Sequence, residues 1–274
     1  MLLQDLWSYE FMRYALLSAC ILGPVCALLG VFVTLRGMAF FSDALAHSAV
    51  TGVALGFLAQ ERLALPVDPY YSLFLFSFAL AGLMAWLFHY SKLPQDTIIS
   101  FTFTGSVALG VVIISALGEY RLLDGMLFGS IYSNGKNEVI LQATFAALIV
   151  CVTIGYMRHY ALLTICPETA HVQGIRVQAL NFLFAMLLAA LVAVGMKMLG
   201  ALLLSALIVI PSAAGRLISR SFRGLLLSSM VGGLIAAVMG VIASWFLDIP
   251  TGPCIVLTNV LLFFVCLLWG RVRA

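Results

Sequence analysis

Asp43 and His47, in the stretch AFFSDALAHSAVTGVALGF, are the residues of this sequence best suited to chemistry. Four positions apart, they share one face if the stretch is helical. A carboxylate oxygen and a neutral imidazole nitrogen together suit borderline divalent metals such as zinc, manganese or iron. Two ligands are too few for a closed structural site, so the pair fits a transient site completed by water, other helices or a second subunit. Two other readings stand beside this one at the level of spacing: the pair holds only itself or a neighbouring helix, or it works as an acid and base.

The elements around the pair narrow the choice. Of 274 residues, 64% are hydrophobic and 9% charged, against roughly a quarter charged in ordinary soluble domains. The apolar runs approach the roughly 20 residues that cross a bilayer as a helix, and none alternates as a transmembrane strand would. The predicted fold is an all-α, polytopic integral membrane helix bundle in one transmembrane domain, residues 1–274. Asp43 is the one carboxylate well inside a span, where an ionisable group costs at least ~2.5 kcal/mol near the centre and faces a cavity or partner. Thr51 continues its face. Ala44, Ser48, Gly52 and Gly56 form an adjacent small-residue stripe that admits close approach by another helix.

Nine spans are predicted, at about 11–35, 39–60, 70–91, 96–118, 138–157, 179–197, 199–218, 224–247 and 254–270, within a range of eight to ten. The first lacks a small-residue cleavage site and is read as a retained helix. The piece LLDGMLFGSI within 119–137 is too short to cross and suits a re-entrant or interfacial segment, or else a tenth crossing.

Alternate sides place Arg36, Lys92, Arg158, Arg176, Arg216, Arg220, Arg223, Arg271 and Arg273 on one face, and Arg13, Arg62, Arg121, Lys136 and Lys197 on the other. The positive-inside rule makes the first face cytoplasmic, with the C-terminus inside. Asp5, Glu10, Glu61, Asp68, Glu119, Asp124, Glu138 and Asp248 then fall outside, and Asp96 and Glu168 inside.

The remaining polar residues read more plainly. His89 and His159 lie at span ends beside Tyr90 and Tyr160, where amphipathic rings rest at headgroup level. Pro211 leaves a carbonyl without its helical donor and suggests a bend, with a pore contact as the sharper reading; Ser205 and Ser212 share a face there. The cysteines show no C-x-x-C spacing, and no basic stripe suggests nucleic acid. No phosphate-binding loop, H-E-x-x-H helix or G-x-S-x-G elbow is present, so energy, if needed, comes from elsewhere.

Several stretches resemble one family, the membrane permeases of ATP-binding-cassette importers for zinc, manganese and iron. They are RGMAFFSDALAHSAVTGVALG at 36–56, LFGSI at 127–131, PETAHVQGI at 167–175, MLGALLLSALIVIPSAAGRL at 198–217 and LDIPTGPCIVL at 247–257. The resemblance implies a homodimeric permease in the cytoplasmic (inner) membrane of a prokaryote. Its partners would be cytoplasmic ATP-binding subunits and an extracytoplasmic metal-binding protein. Asp43 and His47 match the family's metal-coordinating positions. Pro167 to Ile175 matches its cytoplasmic coupling helix, with Glu168 and Gly174 at the ATPase contact; Cys166 departs from the acidic residue often found before that proline. No cofactor is expected to stay bound, Zn2+ or Mn2+ being cargo, and zinc is favoured by the Irving–Williams order. A self-sufficient secondary carrier and an intramembrane enzyme are the alternatives. The thin charge inventory speaks against the carrier, and the missing nucleophile against the enzyme.

Overall fold

The computed structural model describes residues 9–63, 68–118 and 135–273, and LLDGMLFGSI lies outside them. Eleven helices follow one another in these residues: α1 Glu10–Leu35, α2 Ala39–Leu63, α3 Pro69–Tyr90, α4 Gln95–Leu117, α5 Lys136–Gly155, α6 Met157–Ile165, α7 Pro167–Val172, α8 Val177–Met196, α9 Leu199–Ile218, α10 Phe222–Leu247 and α11 Thr251–Arg273. Nine of them, all but α6 and α7, are long and apolar enough to cross a membrane.

The span ends follow local chemistry. α5 begins two residues before the sequence expectation, because the Glu138 side chain reaches back to accept from the Gly135 N–H at 3.0 Å. α11 begins at Thr251 rather than 254. Pro253 falls in its first turn, where a missing N–H leaves no helical bond unmade. Between α8 and α9 the backbone breaks at Gly200 (φ 75°, ψ 165°). A Cβ on Gly195 would meet the Leu204 side chain. In a straight helix nine residues span about 13 Å, so the chain reverses here and α8 and α9 pack as an antiparallel pair. The backbone stays helical through Pro211.

The bundle has a centre and a rim. About 72% of the most apolar stretch of α1, α2 and α8 is buried, against 22% for α11 and 28% for α3 and α5. Rim helices turn Leu75, Leu257, Leu261 and Leu268 outward, as a lipid-facing surface requires. The central α2 is the least apolar of the nine spans. A helix that lipid would tolerate poorly is thus sheltered by protein. Its small-residue stripe is used as the sequence suggests: Gly52 and Gly56 lie so close to Leu73 and Pro69 of α3 that a Cβ on either would collide with the α3 backbone.

Candidate metal path and coupling segment

Asp43 lies in the second turn of α2 and His47 one turn further, both half-buried. The Asp43 carboxylate makes no hydrogen bond or ion pair among the described residues. The His47 ring meets Phe103 of α4 edge-on, with centroids 5.9 Å apart. Neither residue is used up in holding the bundle together. No group of three or more His, Cys, Asp or Glu side chains gathers around an ion-sized point among the described residues. Among the described residues the chain therefore offers the same two donors that the sequence does.

Thr51, the third member of the face, is fully buried and its hydroxyl donates to the Ser106 carbonyl of α4 at 2.6 Å. Ser48 and Ser106 share a hydrogen bond between their hydroxyls. These contacts fasten α2 to α4 directly beside His47. Ser106 and Phe103 carry no charge and no motif, so only the three-dimensional pairing shows their part. On α9, Ser205 is buried with its hydroxyl on the Leu202 carbonyl at 3.2 Å, and Ser212 donates to the Val209 carbonyl at 2.7 Å. Pro211 is buried next to α10, where a Cβ on Gly232 would lie 3.9 Å from its ring. Pro211 is thus at a helix interface, while the two serine hydroxyls are bonded within their own helix.

The stretch from Pro167 forms the short α7, with Pro167 at its first position, where its missing N–H is not needed. Its end is a Schellman motif: the Ile175 N–H bonds the Ala170 carbonyl and the Gly174 N–H bonds the His171 carbonyl, both at 3.1 Å. Gly174 has φ 73°, a conformation that side chains with a Cβ adopt only with strain. Ala170 is fully buried and anchors α7, while Glu168, Thr169 and His171 are exposed and Val172 is 89% exposed. The helix therefore shows a mixed polar and apolar face outward on a rigid backbone. Its exposed acid, hydroxyl and valine offer hydrogen-bonding and apolar contact at once.

Arg36, counted above only as a positive charge at a span end, proves to be half-buried among three helices. Its Nε donates to the Thr164 hydroxyl of α6 at 3.1 Å and its Nη1 to the Asn181 Oδ1 of α8 at 3.2 Å. The guanidinium lies 4.7 Å from the Phe184 ring centroid and 5.6 Å from that of Tyr160. Its Nη2 is buried without a hydrogen-bond partner among the described residues. Burial holds its pKa down to about 10, opposed by the neighbouring Tyr160, so the group stays charged at neutral pH. Burial likewise lifts the Tyr160 hydroxyl to about 12. Nothing in its sequence position beyond the run RGM at the head of the stretch with Asp43 and His47 points to this environment.

His89 and Gln178 meet with their Nε2 atoms 2.7 Å apart, joining the end of α3 to the start of α8. His159 stacks obliquely on Tyr156, at 5.9 Å between centroids. Both histidines are exposed, His89 at the end of α3 and His159 on α6, just past the end of α5.

Comparison with known proteins bears on what this bundle does. The model of the ABC 3 transport family matches residues 8–270. The chain is 31% identical over 260 residues to the high-affinity zinc uptake system membrane protein ZnuB of Haemophilus influenzae, covering 94% of this chain and 97% of that one. It is 28% identical to the manganese import system permease protein ScaB of Streptococcus parasanguinis, over 96% of this chain and 92% of that one. Its fold matches the solved structure of PsaBC from Streptococcus pneumoniae in complex with Fab, with a TM-score of 0.84 and 23% identity, covering 99% of this chain and 98% of that one. The chain thus belongs to the ABC 3 transport family: it is a multi-pass membrane permease subunit of a metal importer, and the ATPase is a separate subunit.

Proposed function

We propose that this permease moves zinc across the inner membrane, holding it transiently on Asp43 and His47. The observation that carries this reading is the placement of α2. It is the least apolar span, it sits among the most buried, and it bears a carboxylate that has no partner among the described residues, one turn from an imidazole. An unpartnered intramembrane carboxylate is costly and is retained where it serves a passing ion. Zinc over manganese rests on the imidazole, on the Irving–Williams order and on the likeness to a zinc uptake protein. Zn2+ or Mn2+ is cargo in this reading and no cofactor stays bound.

Two protein donors leave the coordination sphere open, so a second copy of the chain and water complete it. The α7 face of Glu168, Thr169, His171 and Val172 meets the ATP-binding subunits, on the cytoplasmic side that also holds the C-terminus. An extracytoplasmic metal-binding protein delivers the ion at the opposite end. Metal leaves inward when movement of α7 rearranges the helices.

The test is competitive uptake of radioactive zinc and manganese by cells lacking their own high-affinity importers and carrying this chain with its ATPase and binding protein. Zinc uptake that vanishes in Asp43→Ala, with the complex assembled, supports the reading. Asp43-dependent uptake of manganese alone would replace zinc as the substrate. Uptake that survives Asp43→Ala at limiting metal would sink the site. Uptake by the chain alone on an ion gradient would favour a secondary carrier.

A further inference from the structure

Arg36 occupies a junction that the transport site leaves unexplained. It stands between α1 and α2 in a turn made rigid by a Schellman motif: the Met38 N–H bonds the Val33 carbonyl at 2.9 Å and the Gly37 N–H bonds the Thr34 carbonyl at 3.2 Å, with Gly37 at φ 69°. α2 begins at Ala39, so a displacement of this turn is passed to the helix that carries Asp43 within its first two turns. The guanidinium fork reaches elements 128 and 145 residues away in sequence. Thr164 lies on α6, which only Cys166 separates from α7, and Asn181 lies on α8, just beyond α7. One side chain therefore holds both flanks of α7 and the root of α2.

The bonding is directional as well as broad. The Thr164 hydroxyl accepts from Arg36 and donates to the Tyr160 carbonyl at 2.6 Å, so the arginine is tied into the backbone of α6. Below it, Phe32 of α1, Tyr160 of α6 and Phe184 of α8 form an aromatic floor, with ring centroids 5.7 to 6.3 Å apart. No carboxylate pairs with the guanidinium among the described residues, and both acceptors are neutral side chains. Such contacts can be broken and remade without separating opposite charges in a buried place. A cavity of about 300 Å3, lined in part by Arg36, Phe41, Gln95, Thr164 and Asn181, lies beside the fork and gives it room to shift.

We propose that Arg36 is a positioning residue that transmits movement of the α6–α7 segment to α2, so that ATP hydrolysis and metal release stay coupled. The inference rests on the reading of α7 as the ATPase contact. Its test is the amount of metal moved per ATP hydrolysed, in proteoliposomes holding the whole importer with its ATPase and binding protein. Arg36→Lys keeps the charge but loses the planar fork, and metal per ATP is expected to fall about tenfold while ATP hydrolysis stays within about twofold of the unaltered complex.

Thr164→Val and Asn181→Leu each remove one arm of the fork and should lower the same ratio by about threefold. They carry the test if Arg36→Lys fails to assemble. A ratio unchanged in these variants, whatever happens to the absolute rates, overturns the role of Arg36, because a merely structural arginine would lower both rates together. Absence of ATP-driven uptake by the unaltered complex would instead overturn the importer reading beneath it.

Discussion

The Thr51 hydroxyl and the Ser106 carbonyl, 2.6 Å apart, lock α2, the helix of Asp43 and His47, to α4 one turn beyond His47. On α4, a Cβ at Gly110 would strike that same Thr51 hydroxyl. The position of His47 therefore depends on a small set of uncharged atoms, and that dependence can be tested.

Gly110→Ala should destabilise the chain by about 1–3 kcal/mol, because α2 and α4 must separate to admit a methyl group. Thr51→Ala alone should cost about 1 kcal/mol for the lost hydrogen bond. The double variant should be more stable than Gly110→Ala, since removing the hydroxyl makes room for the new methyl. Thermal unfolding of the purified chain in detergent measures all three. Simple additivity would mean that the two helices do not meet as described.

Asp43→Asn should leave thermal stability unchanged or raise it, because it removes from a sheltered span a charge that has no partner among the described residues, without altering shape. Each kcal/mol recovered corresponds to about 2–4 °C in Tm for a chain of this size. A fall in Tm would show that the carboxylate has a structural partner.

Much of this architecture could be read from the chain, for identifiable reasons. Apolar runs near the bilayer length mark the spans, and the D-x-x-x-H spacing puts Asp43 and His47 on one face whatever surrounds them. The stripe at Gly52 and Gly56 predicts close packing because small residues permit little else. The helix starts at Lys136 and Thr251 depend on caps and first-turn geometry that an apolar pattern does not encode. The break between α8 and α9 falls where the apolar pattern ends one span at 197 and begins the next at 199, whereas Pro211, whose missing N–H suggests a bend, sits in backbone that stays helical. Arg36 shows the limit most clearly. A charge at a span end counts toward orientation, and only the arrival of Thr164 and Asn181 from over a hundred residues away makes it a fork between helices.

Gly174→Ala should strain the end of α7 by about 1–2 kcal/mol, because the left-handed conformation at φ 73° brings a Cβ against the backbone. The effect should be local: Tm of the bundle should hold while co-purification of the ATPase subunit drops several-fold. Asn at this position should retain more of the ATPase than Ala, since asparagine tolerates that conformation better. Equal recovery of the ATPase with Gly, Asn and Ala would remove the shape of α7 from the contact.

The charge asymmetry predicts a cytoplasmic C-terminus. A fluorescent protein fused after Ala274 should therefore light up in cells, and alkaline phosphatase fused at the same place should stay inactive. The reverse pattern would put α7 on the wrong side for an ATPase.

The central claim is that Asp43 carries the passing metal, and ATP-driven zinc uptake into proteoliposomes containing the purified permease, ATPase and binding protein tests it most directly. The account predicts that Asp43→Asn abolishes uptake while the complex remains assembled, its ATPase active and its Tm undiminished. Zinc uptake by Asp43→Asn at the unaltered rate, at limiting metal, would contradict it.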